Sequence, residues 1–136
     1  MKRKVLAGLL TVVMAAGFVA VPGMQTEVKA DDKKLVGVAM PTKDLQRWNQ
    51  DGENMKKSLE DAGYEVDLQY ASNEVATQVS QVENMISNGC DILVIASIDG
   101  SSLGEPLSQA KEAGIPVIAY DRLLMESDAV SYYATF

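Results

Sequence analysis

The 136-residue chain is 47% hydrophobic and 23% charged, a composition that suits one folded domain and excludes a disordered or fibrous chain. It contains no histidine and a single cysteine, Cys90, which rules out histidine-dependent triads, histidine-ligated zinc and intrachain disulfides. Its net charge of −7 argues against nucleic acid as a partner.

The first residues, MKRK, form a positive n-region, and the uncharged run VLAGLLTVVMAAGFVAV that follows is too short for a comfortable membrane span. Residues 1–30 therefore read as a secretory signal peptide. Val28 and Ala30 make cleavage after Ala30 the preferred site, with AAG and VPG as weaker ones upstream, and with no cysteine nearby a lipid anchor is not expected. Cleavage would leave 8 basic against 18 acidic residues, a net charge of −10 that also disfavours anionic membrane surfaces. The mature chain is expected to be exported, periplasmic or in the cell envelope or medium.

Beyond the leader, apolar runs alternate with stretches of helical periodicity. The runs are LVGVAM (35–40), YEVDLQY (64–70), ILVIA (92–96), PVIAY (116–120) and, more weakly, VSYYATF (130–136). Between the first two, Trp48, Met55, Leu59 and Ala62 share one face of a helix over about 46–62. A second helix carries Val75, Val79, Val82 and Ile86, and a third carries Leu103, Leu107, Ala110 and Ala113. Ser101 and Ser102 are suited to capping the third helix, with Glu105 completing a capping box. Gly63, Gly89 and Gly114 end the three helices at intervals of 26 and 25 residues, the length of one strand, one helix and two loops.

This pattern predicts an α/β fold with a parallel, doubly wound sheet: three βα units, then two further strands, with helices on both faces. Ligands of such sheets bind at the C-terminal ends of the strands. The junctions that meet there, PTKDLQRW, ASNE, SIDGSS and DRLLMES, gather Lys43, Asp44, Arg47, Trp48, Asn73, Ser97, Asp99, Asp121 and Arg122.

Neither a GxGxxG nor a GxxxxGK[ST] loop follows the first strand, so nucleotide binding lacks its usual means of holding phosphate. An Asp-Arg pair can instead read adjacent sugar hydroxyls, while an indole covers the apolar face of the ring. Each residue also has a plainer reading. Trp48 fits the core stripe of its helix, Asp121 can cap the next segment, and Arg122 can lie on the surface. Asp99, before Gly100, reads as turn chemistry, Cys90 as a half-buried apolar side chain, and Lys56, Lys57, Glu60 and Asp61 as a solvated helix face.

Taken in order, AMPTKDLQRW, QVSQVENMISNG, DILVIASIDG, GIPVIAYDR and SYYATF resemble the N-terminal lobe of the type I periplasmic sugar-binding proteins, in the branch that binds xylose and multiple sugars for ABC transporters. The resemblance spans residues 35–136 and implies a non-enzymatic protein without cofactor or metal, monomeric when complete. It implies a monosaccharide ligand, such as xylose, arabinose, glucose or galactose. It also implies ABC importer membrane subunits as partners, with a chemoreceptor or sensor kinase as a further possibility. By the same resemblance Arg47, Trp48, Asp121 and Arg122 contact the sugar, with Trp48 as stacking platform, and Lys43 and Asp44 are secondary contacts. Because the family has two lobes that close on the sugar, residues 31–136 are expected to form an incomplete sugar-binding lobe lacking its partner lobe. Two other readings are the effector-binding core of a sugar-responsive transcriptional regulator and a flavodoxin-like or receiver domain. A leader and an acidic balance count against the first. The absence of an acidic cluster or phosphate loop after the first strand counts against the second.

Overall fold

The computed structural model describes residues 33–125 and 127–135; the expected signal peptide and the expected cleavage after Ala30 lie outside these residues. In chain order the elements are β1 (Leu35–Met40), α1 (Gln46–Asp61), β2 (Glu65–Tyr70), α2 (Val75–Ser87), β3 (Ile92–Ile95), α3 (Gly104–Glu112), β4 (Val117–Tyr120) and β5 (Val130–Ala134). All pairings are parallel, in the order β2-β1-β3-β4-β5.

Strand periodicity divides the core in two. Val36, Val38 and Met40 of β1, with Val94 of β3, face α1 and pack with Trp48. Ala39, Leu93 and Ile95 face the other way, onto Val82 and Met85 of α2 and Leu107 and Ala110 of α3. Crossovers of one hand require this split. The chain moves from β1 to β2 in one direction and from β2 back past β1 to β3 in the other, so α1 and α2 fall on opposite faces. Each fully buried Leu or Ile in these layers contributes about 1.5–3 kcal/mol.

Each helix closes on a double hydrogen bond of the Schellman type. In α1, Gly63 N–H donates to Glu60 and Tyr64 N–H to Leu59, and the same pattern recurs at Gly89 with Cys90 and at Gly114 with Ile115. The three glycines have φ of +94°, +79° and +71°, as this closure requires. Gly52 serves packing instead: a Cβ there would lie 2.4 Å from the Tyr70 hydroxyl, so its absence sets how closely α1 approaches β2.

Three expectations need correction. The capping box does not form, because α3 begins at Gly104 after Leu103, with no side-chain cap. The Ser101 amide and hydroxyl both bond to the Asp99 carboxylate, at 2.8 and 2.7 Å, so an aspartate turn takes up the serine instead. On α2 Val82 is buried and Val79 and Ile86 pack against the same core layer as expected, but the other fully buried residues are Gln78 and Met85, and Val75 is only half-buried. Finally, β2 and β5 are edge strands, and neither is buried on both faces as its apolar run implies.

Candidate sugar-binding site

The C-terminal ends of β1, β3 and β4 lead into the loops that carry the candidate residues. After β1, Pro41 and Thr42 stay buried while Lys43 and Asp44 reach solvent, the latter tethered by its amide to the Thr42 hydroxyl at 3.2 Å. Arg47 and Trp48 follow in the first turn of α1. Trp48 is only 3% exposed, wedged into the core layer beneath that helix.

Asp121 immediately follows β4 and adopts φ +61°, unusual for a residue with a side chain. Arg122 N–H donates to the Tyr120 carbonyl at 2.7 Å, closing a γ-turn of the rare positive-φ form around Asp121. β5 braces this turn. The Asp121 amide donates to Ala134 O at 2.7 Å, and the Tyr133 hydroxyl donates to Asp121 O at 3.1 Å. Such turns cost energy and persist only where surrounding structure over-determines them.

The turn brings the candidates together. Arg47 Nη2 lies 2.6 Å from Asp121 Oδ1, a charge-assisted contact whose aspartate side chain is 17% exposed. Arg122 Nη1 donates to Ser97 O, at the end of β3, at 2.9 Å. Both guanidinium groups lie over the Trp48 ring, with Arg47 Cζ 4.8 Å and Arg122 Cζ 5.0 Å from its centroid. The indole therefore serves as a bed for two arginines, and its ring is covered rather than open for stacking.

Lys43 and Asp44 stand apart. Lys43 turns toward Glu53, at 3.9 Å, and over the Tyr70 ring. Asn73 is in a left-handed turn after β2, with its amide on Pro41 O, and Asp99 is engaged by Ser101, which holds its carboxyl below the usual range.

Two participants escaped the sequence reading. Asp51, one helical turn beyond Arg47, has Oδ2 3.7 Å from Arg47 Nε; that oxygen is buried and accepts no hydrogen bond. Burial, followed by the Asp51 charge, raises the pKa of the Tyr120 hydroxyl. The i, i+4 spacing of Arg47 and Asp51 was the available signal. The second is Gln78, a polar residue at the centre of an otherwise apolar helix face.

A cleft of about 580 Å³ opens at the opposite sheet edge, near Cys90 and Ile115. Lys34 and Asp91, the only charged side chains lining it among the described residues, pair with each other at 3.7 Å. Convergent hydrogen-bonding groups are concentrated instead around Asp121.

Residues 36–136 match the family model described as periplasmic binding protein domain. The chain belongs to the periplasmic binding protein family. This periplasmic binding protein is 51% identical over 122 residues to the multiple sugar-binding periplasmic receptor ChvE of Rhizobium radiobacter, covering 90% of this chain and 34% of that protein. It is 38% identical over 112 residues to the D-xylose-binding periplasmic protein of Escherichia coli, covering 82% and 34%. Among solved structures, an ABC transporter solute binding protein from Clostridium phytofermentans with bound β-D-glucose matches at 82% identity and a TM-score of 0.75, over 76% of this chain and 32% of that one. All three are binding proteins. The chain spans about a third of the length of these relatives. The doubly wound sheet and the likeness to the xylose- and multiple-sugar-binding branch are therefore as the sequence implied.

Proposed function

We propose that the chain forms one wall of a monosaccharide site in an exported, non-catalytic solute-binding protein that delivers sugar to an ABC importer. The carrying observation is the Arg47–Asp121 pair, 2.6 Å apart, at the strand edge where doubly wound sheets hold ligands. The Asp121 carboxylate accepts from sugar hydroxyls, and the guanidinium groups of Arg47 and Arg122 donate in fixed planar geometry. Trp48 holds both arginines in place and lends an apolar bed beneath them. Lys43 and Asp44 meet the sugar only from the rim. A ligand lacking the right hydroxyl would leave these charges poorly paired, which is the source of selectivity.

D-Glucose is the leading candidate, because the relative at 82% identity holds β-D-glucose. Delivery to an importer is supported by that relative's description as an ABC transporter solute binding protein, and export by the positive n-region and apolar run at residues 1–21. By the resemblance to two-lobed proteins, a second lobe would supply the opposing wall.

Trp48 is the only tryptophan, so its fluorescence reports on the site without labelling. Adding D-glucose is expected to change the emission in a saturable way, and Asp121→Asn to abolish the response while leaving the far-UV circular dichroism unchanged. An equal response in Asp121→Asn, or none to any monosaccharide, would contradict the proposal.

A further inference from the structure

Gln78 is the most deeply buried polar side chain of α2, only 1% exposed, and both ends of its amide are engaged. Nε2 donates to Ala96 O at 2.9 Å and Oε1 accepts from Ile98 N–H at 2.8 Å. These two backbone groups flank Ser97, just past the last residue of β3. The carbonyl of Ser97 is the acceptor that fixes Arg122 Nη1 at 2.9 Å. A buried amide is costly unless paired, and here the pairing is spent on a loop rather than on a helix or sheet.

We infer that Gln78 is a positioning residue of the ligand site: it clips the turn after β3 so that the Ser97 carbonyl holds the Arg122 guanidinium over Trp48. Its part in sugar binding rests on the function proposed above; its hold on Arg122 does not. Without the clip, Ala96 O and Ile98 N–H lose their side-chain partner and the turn is free to relax. Arg122 then loses its anchor without any change at Arg122 itself.

The test uses the whole chain, observing the Arg122 Nε–H and Trp48 indole N–H resonances by NMR, with and without D-glucose. Gln78→Leu removes both hydrogen bonds. It is expected to shift and broaden both resonances and to weaken the glucose response about tenfold, the equivalent of one lost anchoring hydrogen bond. Gln78→Glu supplies a pH profile. Its protonated carboxyl can reproduce both bonds, but the ionised form has no donor for Ala96 O and places a charge in the core. Burial raises the pKa of this glutamate in the fold, so wild-type-like resonances are expected at low pH and are lost as pH rises through that raised value. The wild-type resonances should stay flat over the same range.

Should Gln78→Leu fail to fold, the Gln78→Glu profile alone decides. Unchanged Arg122 and Trp48 resonances in a folded Gln78→Leu, or in folded Gln78→Glu across its ionisation, would overturn the inference. If the resonances respond but the wild type shows no glucose response, the sugar reading fails and the positioning role stands.

Discussion

Asp121 carries conflicting demands. Its backbone sits at φ +61°, which costs a side-chain-bearing residue of order 1–2 kcal/mol, and its carboxylate pairs with Arg47. Asparagine tolerates this conformation and alanine does not. Asp121→Asn is therefore expected to lose sugar response with a stability loss of about 1 kcal/mol, and Asp121→Ala to lose about 1 kcal/mol more, as read from urea unfolding midpoints. Equal stability of the two variants would remove strain from the account. Cys90 is the opposite case, a residue kept silent by its surroundings. Burial, and more weakly the charge of Asp67, push its thiol up to about 11. The neutral thiol thus prevails in the fold at pH 8, and a disulfide reagent should label it only as fast as the chain opens, with denaturant accelerating the reaction. Because the folded pKa is raised, the stability tied to the neutral thiol is present below the ordinary value near 9 and declines as pH climbs toward 11. Rapid labelling of the native protein would refute this.

Among the elements, the loops after β3 and β4 act as a unit. Met125 N–H donates to Gly100 O at 2.9 Å, and a Cβ on Gly100 would lie 2.3 Å from the Leu123 carbonyl oxygen. Gly100→Ala must push backbone against backbone. It is expected to shift the Arg122 turn and lower sugar response with the sheet intact, which amide shifts confined to residues near 97–101 and 120–125 would report. The βα alternation that supports these loops was legible in sequence, since buried parallel strands read as apolar runs and each helix-ending glycine marks a crossover. Which strands lie at the edge was not legible, because β2 and β5 owe their exposure to strand order rather than to their own residues. The site was half legible. Arg47, Trp48, Asp121 and Arg122 all fall at junctions, yet the covering of Trp48 by two guanidinium groups depends on a turn conformation at Asp121 that no local pattern announces.

For the molecule as a whole, one sheet edge presents carboxylate and guanidinium groups from a single side. Working pockets bury most of a small ligand's surface. The chain alone is therefore expected to bind monosaccharides more weakly than micromolar, and calorimetry giving micromolar or tighter affinity would show that one wall suffices. Whatever its affinity, the sugar is proposed to meet the Asp121 turn. This is tested most directly by following backbone and side-chain amide resonances of the isotopically labelled chain as D-glucose is raised to high concentration. Saturable shifts centred on Trp48, Asp121 and Arg122 are expected, and their loss in Asp121→Asn. Shifts centred on the cleft beside Cys90 and Ile115, or none at the Asp121 turn, would contradict it.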